Sequence, residues 1–238
     1  MTSAEGTGRM QLNRIIDQTF LKPNATRQEI ERFCQEAARY QFICVAMLPS
    51  YVPDGVRMLH GTGVHVMAGI SFPRGQVPPE LKRIEIENAL SLGADEIDMV
   101  LNLYAIKLKD FRVIEKEISI LRELTRSRTG KAILETSLLS DDEIEAVCRI
   151  ASRVGIDFVK SSTGFDGNKA TIHAVEVMKR SVSGRTRVKA AGGINTLKTV
   201  LAMMRAGVAR IGTSAGPKLM EEWKRDGRSM EELIGQEW

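Results

Sequence analysis

The chain is short of the features that mark secreted and metal-dependent proteins. It has three cysteines in 238 residues, which are Cys34, Cys44 and Cys148. Their wide spacing fits neither a disulfide framework nor a zinc site, so we expect a protein of the reducing cytoplasm. The three histidines are scattered too, and no cluster of histidines and carboxylates predicts a catalytic metal.

Long apolar runs, blocks of one charge and aromatic residues are also scarce. No apolar run approaches the roughly 20 residues that cross a bilayer, and polar residues 1–10 lack the apolar core of a signal peptide. The net charge is only +4, basic residues are spread along the chain, and aromatics make up 5%. Neither a membrane nor a nucleic acid is therefore expected as a partner.

Short runs rich in β-branched residues alternate with longer stretches that have helical periodicity. The strand candidates are residues 14–19, 42–47, 65–71, 96–102, 132–136, 157–161, 187–190 and 209–213. The helix candidates are residues 26–40, 79–92, 109–126, 140–154, 168–181, 196–206 and 217–226. Two of these helices begin with the residues of a capping box, Thr26 with Glu29 and Ser140 with Glu143.

Eight strand candidates that alternate with seven helix candidates, without a break in composition, predict one (β/α)8 barrel, a single domain over residues 1–238. Residues 1–10 are expected to be flexible, and residues 217–238 to form a helix and a charged tail. A doubly wound open sheet is the alternative, but the glycine-rich turn that it expects after an early strand is missing. In a barrel, function is expected at the C-terminal ends of the strands.

Two lysines end short apolar runs. Lys160 lies in DFVKSSTG (residues 157–164) and Lys189 in RVKAAGG (residues 187–193). If their strands are neighbours, each ammonium disfavours the charge of the other, and one lysine can become the neutral amine that attacks carbonyls. Either lysine alone would also fit a side chain that snorkels at a sheet edge.

Polar residues recur at the ends of the strand candidates, where an apolar core could not hold them unpaired. They include Asp17, Thr19, Cys44, Asp98, Asn102, Glu135, Thr136, Ser161, Thr213 and Ser214. Because side chains alternate along a strand, Glu96 and Asp98 share a face, and an inward Asp98 would lie close to both lysines. It could then pass a proton, although a buried Asp–Lys pair can also serve only to order a core.

Glycine-rich loops follow the last two strand candidates. Gly192 and Gly193 follow one, and GTSAG (residues 212–216) follows the other. Barrels often bind phosphate with the loops after strands 7 and 8 and a helix N-terminus, because glycines let backbone N–H groups approach the oxygens. Turns also need glycine, but two such loops at these places predict an anion site.

Taken together, the motifs resemble those of the deoxyribose-phosphate aldolases, which are class I (Schiff-base) aldolases of the (β/α)8 type. The resemblance covers residues 15–216, nearly the whole chain, with the motifs in the same order. They are IDQTFLKP (16–23), GADEIDMV (93–100), LET (134–136), FVKSSTGF (158–165), VKAAGGI (188–194) and RIGTS (210–214).

The resemblance implies reversible cleavage of 2-deoxy-D-ribose 5-phosphate to acetaldehyde and D-glyceraldehyde 3-phosphate, without a metal or organic cofactor. It places Lys160 at the Schiff-base lysine, Lys189 at the second lysine that lowers its pKa, and Asp98 at the aspartate of the proton relay. The substrate-binding positions that it implies are Asp17, Thr19, Cys44, Thr163, Gly164, Gly192, Gly193, Gly212 and Ser214. The implied partners are a small sugar phosphate and aldehydes, and a homodimer is expected by analogy.

The sequence departs from the family pattern at several places. Gln18 stands where many members have histidine, and residues 44–49 (CVAMLP) replace a shorter segment, which predicts a more apolar pocket wall near Cys44. Phe165 and Asn195 stand where some members carry lysine and arginine near the phosphate. Two fewer cations predict weaker phosphate selectivity, since charged hydrogen bonds are the stronger ones. Residues 236–238 (QEW) also replace the terminal tyrosine of some members.

Two alternatives stay open at this point. A different Schiff-base aldolase could act on another aldehyde pair, as the altered residues 44–49 suggest. A non-catalytic sensor of sugar phosphates is the second alternative, but a sensor has no need of a neutral lysine beside an aspartate.

Overall fold

The computed structural model describes residues 10–235, and within them eight parallel strands close into a barrel in sequence order. The strands are β1 (Ile16–Phe20), β2 (Cys44–Met47), β3 (His65–Ile70), β4 (Glu96–Val100), β5 (Thr129–Ile133), β6 (Phe158–Lys160), β7 (Arg187–Ala191) and β8 (Arg210–Thr213). The predicted (β/α)8 barrel is confirmed. The expectations for residues 1–9 and 236–238 lie outside the described residues.

Helical structure follows every strand. The helices are α1 (Arg27–Tyr40), α2 (Val52–Leu59), α3 (Pro79–Ser91), α4 (Leu103–Lys107), α5 (Phe111–Leu124), α6 (Asp141–Val154), α7 (Ile172–Ser181), α8 (Leu197–Arg205), α9 (Gly216–Asp226) and α10 (Met230–Gly235). Both predicted capping boxes are confirmed, at Thr26 before α1 and at Ser140 before α6. None of the described helices is long and apolar enough to cross a membrane.

The strands divide the interior into two parts. Alternate side chains such as Val188 and Ala190 of β7 point away from the barrel axis and join the apolar core that the strands share with the helices. Lys189, between them, is buried among polar groups instead. On the side of β2 and β3 the barrel interior is apolar, with a small cluster around Cys44 and Met67. On the other side the barrel interior is charged, and the two predicted active-site lysines lie on that charged side.

Several predicted boundaries were wrong. The fifth strand was expected at residues 132–136 but runs from Thr129 to Ile133, because Glu135 adopts a left-handed conformation (φ 59°) that ends the extended backbone. The helix predicted at residues 168–181 begins only at Ile172. Helices α2, α4 and α10 were not predicted. The sequence of α2 contains Pro53 and Gly55, which hide its helical pattern.

Candidate active site

The barrel register places the two lysines side by side. Lys160 is the last residue of β6 and pairs directly with Lys189 of the neighbouring strand β7. Lys160 is 4% exposed and Lys189 is 1% exposed, so both amines lie within the barrel. The prediction that the two strands are neighbours is confirmed.

Asp98 of β4 connects the lysines. Its Oδ2 accepts a hydrogen bond from Nζ of Lys160 at 2.9 Å and another from Nζ of Lys189 at 2.9 Å. Its Oδ1 accepts a third from Nζ of Lys131 at 2.7 Å. Burial alone would raise the pKa of the Asp98 carboxyl, but the three ammonium groups hold that pKa well below its ordinary value. Asp98 is therefore held in its carboxylate form.

Lys131 of β5 is a third interior lysine, which the sequence analysis missed. It is fully buried, and its Nζ lies 2.6 Å from Oε2 of Glu96 as well as 2.7 Å from Oδ1 of Asp98. Burial favours the neutral form, but the carboxylates of Asp98, Glu96 and Asp17 outweigh it and raise the pKa of Lys131. The signal was present, since Gly130-Lys131-Ala132 also sets a lysine among small residues next to an apolar run.

Arg210 and Asp17 complete the interior network. Asp17 of β1 accepts a hydrogen bond from Lys189 Nζ, and its Oδ1 lies 2.5 Å from a terminal nitrogen of Arg210. Arg210 of β8 also donates to Oε2 of Glu96 at 2.9 Å. Thus Asp17, which the resemblance places among the substrate-binding positions, is bonded to Lys189 and Arg210. The sequence analysis missed Glu96 and Arg210 as members of the network.

Lys160 differs from Lys131 in the direction of its pKa shift. Burial lowers its pKa first, the charge of Asp98 opposes that effect, and the nearby charges of Lys189 and Lys131 lower the pKa further. The result is a pKa of about 8. By that value about a tenth of the amine is neutral at pH 7. The sequence analysis attributed the shift to Lys189 alone, whereas burial is its largest cause.

Lys160 opens into a cavity of about 400 Å³ at the C-terminal ends of the strands. The residues that line it are Thr19, Leu21, Lys160, Thr163, Gly164, Phe165, Ala191, Gly192, Gly193, Ile194, Asn195, Gly212, Thr213 and Ser214. Most of the implied substrate-binding positions are among them. Asp17 and Asp98 lie deeper, in contact with the lysines.

The two glycine loops form one end of this cavity. A side chain on Gly212 would place its Cβ only 2.9 Å from Cβ of Ala191 and 3.4 Å from Cε of Lys189. Gly192 has φ +96° and would meet the carbonyl oxygen of Asn168 at 2.6 Å. Glycine is therefore required at both positions to keep the backbone close to the cavity and to Lys189.

An aromatic pair stands beside Lys160. The Phe165 and Phe72 rings meet edge to face with centroids 6.1 Å apart, and Nζ of Lys160 lies 5.5 Å from the centroid of Phe72. Phe165 thus supplies an apolar wall of the cavity in this protein.

The structure places Cys44 away from the cavity. Cys44 is the first residue of β2, is fully buried, and pairs in register with Asp17 and His65. Among the described residues, those from 44 to 49 contribute nothing to the lining. The expectation of a pocket wall reshaped near Cys44 was therefore wrong, because the sequence pattern gave no depth along the barrel.

A group of three donor atoms from Asp17, Cys44 and Glu96 lies deep in the barrel, within 4.8 Å of one another. Both carboxylates already pair with Arg210. Burial raises the pKa of the Cys44 thiol well above its ordinary value, so the thiol stays protonated. The group is better described as part of the interior charge network than as a metal site.

Comparisons with known proteins agree with this geometry. The model of the DeoC/LacD family aldolases matches residues 13–220. A deoxyribose-phosphate aldolase from Bacteroides thetaiotaomicron is 45% identical over 216 residues, which cover 90% of this chain and 91% of that protein. Another, from Lactococcus lactis subsp. lactis, is 42% identical over 212 residues, 89% of this chain and 96% of that protein.

Among solved structures, that of a putative deoxyribose-phosphate aldolase from Coccidioides immitis superposes with a TM-score of 0.86 at 39% identity. The match covers 91% of this chain and 88% of that chain. The family match spans all eight strands and every residue of the interior network. By sequence and by structure, the chain belongs to the DeoC/LacD family of aldolases.

Proposed function

We propose that the protein cleaves 2-deoxy-D-ribose 5-phosphate reversibly to acetaldehyde and D-glyceraldehyde 3-phosphate, with Lys160 as its Schiff-base residue. The observation that carries the proposal is one buried amine with a pKa of about 8 that opens into the cavity beside a charged network. The alignments with two relatives named deoxyribose-phosphate aldolase cover 90% and 89% of the chain, and this similarity supports the same reaction.

In this mechanism the neutral amine of Lys160 attacks the C1 aldehyde of the open-chain sugar. The carbinolamine loses water to give an iminium, which accepts the electron pair of the C2–C3 bond as the C3 hydroxyl loses its proton. D-Glyceraldehyde 3-phosphate then leaves, and an enamine remains on Lys160. Protonation of the enamine at C2 and hydrolysis of the new iminium release acetaldehyde and the free amine.

Asp98 and Lys189 serve the proton transfers. The Asp98 carboxylate accepts hydrogen bonds from both lysines, so it keeps the Lys189 ammonium beside the reacting carbons. Since its pKa is held well below the ordinary value, Asp98 acts as an acceptor that orients the ammonium. Lys189 can give a proton to the hydroxyl that leaves the carbinolamine and then take up the proton of the C3 hydroxyl as the C2–C3 bond breaks. Directly or through a water, it passes that proton to C2 of the enamine.

In this proposal the two glycine loops bind the phosphate group of the substrate. Gly192, Gly193 and Gly212 bring backbone close to the cavity, and Ser214 can add a hydroxyl donor. Thr19 and Thr163 also line the cavity and would contact the sugar hydroxyls. Asn195 carries no charge, so we expect the phosphate to be held mainly by neutral donors, with a weaker preference for the phosphorylated sugar.

A direct test is the release of D-glyceraldehyde 3-phosphate from 2-deoxy-D-ribose 5-phosphate by the purified protein, coupled to a dehydrogenase. We expect saturable turnover that a metal chelator does not reduce. If the protein releases no product from this sugar but cleaves another aldol in a panel of aldehyde pairs, the substrate is wrong and the Schiff-base chemistry stands.

We also propose that the chain works as one domain and as a homodimer. The closed barrel over the described residues supports the first statement, and only analogy supports the second. Sedimentation equilibrium of the purified protein tests the dimer, and a monomer at every concentration would refute it.

A further inference from the structure

Glu135 is a buried carboxylate beside the cavity that the mechanism above leaves without a role. It follows the end of β5 and is 2% exposed. Its backbone lies in the left-handed region, with φ 59° and ψ 58°, which a residue other than glycine rarely adopts. Such outliers gather at functional sites, where the surroundings hold a disfavoured conformation for a purpose.

The backbone on both sides of Glu135 is fixed to the strand that carries Lys160. The N–H of Leu134 donates to the carbonyl of Lys160 at 2.9 Å, and the N–H of Thr136 donates to the carbonyl of Ser161 at 2.8 Å. The pairing with β6 thus continues past the reversed residue. Glu135 is held in a fixed position relative to Lys160, and its side chain reaches the loop that follows β6.

The contacts of the carboxylate go to one residue of the cavity wall. Oε2 of Glu135 accepts from the backbone N–H of Thr163 at 3.1 Å and from its hydroxyl at 2.5 Å. The Thr163 hydroxyl oxygen accepts in turn from the N–H of Phe165 at 3.2 Å. One carboxylate oxygen therefore holds Thr163 directly and Phe165 through the Thr163 hydroxyl, while the N–H of Gly164 between them donates to Oγ of Ser162 at 3.0 Å. Thr163, Gly164 and Phe165 all line the cavity with Lys160.

The burial of Glu135 differs from that of an ordinary core glutamate. Glu117, which is also buried, pairs with the ammonium of Lys82 at 2.6 Å. Oε1 of Glu135 has no hydrogen-bond partner among residues 10–235. A buried carboxylate that is kept with an oxygen unpaired is costly, so a compensating use is expected at that position. The contact with the cavity loop is the use that the structure shows.

We propose that Glu135 is a positioning residue that fixes the loop Thr163–Gly164–Phe165 against Lys160 and so sets the shape of the sugar pocket. This inference rests on the proposed function. Phe165 packs edge to face against Phe72, and the Phe72 ring lies beside the amine of Lys160. The loop therefore also supports the aromatic wall beside Lys160. The sugar phosphate needs the whole pocket, whereas acetaldehyde alone needs only the amine.

Two variants of Glu135 separate geometry from charge. In Glu135→Gln the amide oxygen can still accept both bonds from Thr163, so kcat/KM for the sugar phosphate should stay within about threefold of wild type. Glu135→Ala removes both bonds, and kcat/KM should fall by about tenfold or more, mainly through KM. The rate of borohydride trapping of acetaldehyde on Lys160 should stay within about twofold in both variants.

Hydrogen exchange provides the structural readout. In Glu135→Ala the amides of Thr163 and Phe165 should exchange faster, while that of Leu134, bonded to the Lys160 carbonyl, should keep its protection. If Glu135→Ala does not fold, Thr163→Val removes the hydroxyl link alone and should expose the amide of Phe165. Wild-type kinetics in Glu135→Ala, or equal damage in Glu135→Gln, would overturn the inference. A wild-type protein without aldolase activity would instead refute the proposed function.

Discussion

Two buried lysines, one deep in the barrel interior and one at its mouth, have pKa values that are shifted in opposite directions. Lys131 lies deep, between Asp98 and Glu96, and its carboxylate partners raise its pKa. Lys160 lies at the mouth, shares one oxygen of Asp98 with Lys189, and has a lowered pKa of about 8. Both side chains are removed from water, so burial alone does not explain the difference.

The number of carboxylates that each of these two ammonium groups contacts decides whether its pKa is raised or lowered. Lys131 contacts two carboxylates within 2.7 Å, and a third, that of Asp17, lies 3.9 Å away. Among the carboxylates of residues 10–235, the Lys160 ammonium contacts only that of Asp98, which is already shared with Lys189 and Lys131. The barrel thus keeps one lysine permanently charged as a structural cation and leaves the other able to lose its proton. At the mouth, burial and the nearby charges of Lys189 and Lys131 lower the pKa of Lys160 against the opposing charge of Asp98.

The largest effect is expected at the mouth. Lys160→Ala removes the only amine that opens into the described cavity, so turnover should fall by roughly a thousandfold or more. The coupled aldolase assay checks this. Lys198→Ala, which removes an exposed lysine of α8, is the matched control and should retain activity. Appreciable turnover in Lys160→Ala would assign the nucleophile to another residue, Lys189 first.

The second effect is expected in the interior. Lys131→Met leaves Asp98 and Glu96 without one of their cations, and breaking a buried pair costs about 3–5 kcal/mol of unfolding free energy. Urea denaturation measures the change. The control is Lys107→Met, which breaks the half-exposed pair with Glu143 and should cost less than about 1 kcal/mol. Equal costs in the two variants would show that the interior network contributes nothing special to stability.

The comparison between interior and mouth also shows what the sequence could predict. The barrel, the neighbouring positions of Lys160 and Lys189, and the inward Asp98 followed from the alternation of strands and helices and from period-two spacing. Lys131 was missed because Gly130 and the lysine itself interrupt the apolar run that marks a strand. Its strand was consequently placed three residues too late.

Depth along the barrel axis was the other property that sequence could not supply. Cys44 and Lys160 both border β-branched runs, yet Cys44 begins its strand and Lys160 ends one. The first lies in the closed interior and the second at the cavity. Strand register fixes that difference, and register depends on contacts between residues far apart in sequence.

A pH titration sharpens the comparison. The proposed reaction requires the neutral amine of Lys160, whose folded-state pKa is about 8. Therefore kcat/KM should rise about tenfold per pH unit below 7 and level off above about 8.5. In Lys131→Met, where a nearby positive charge is lost, the midpoint should move to higher pH. A profile of kcat/KM that is flat between pH 6 and 9 would show that the pKa of Lys160 is not lowered to about 8.

The smallest effect concerns the phosphate end of the cavity. Asn195 lines the cavity without a charge, so Asn195→Arg should increase the ratio of kcat/KM for deoxyribose 5-phosphate over deoxyribose by about tenfold. Asn195→Gln is the neutral control and should leave the ratio unchanged. A wild-type preference for the phosphate of many thousandfold would contradict the expectation of weak phosphate selectivity.

The central claim is that Lys160, and not Lys189 or Lys131, forms the Schiff base. The most direct measurement is borohydride trapping with acetaldehyde, followed by peptide mapping of the modified lysine. We predict one two-carbon adduct on Lys160, with none in Lys160→Ala. An adduct on Lys189, or trapping that survives in Lys160→Ala, would contradict the account.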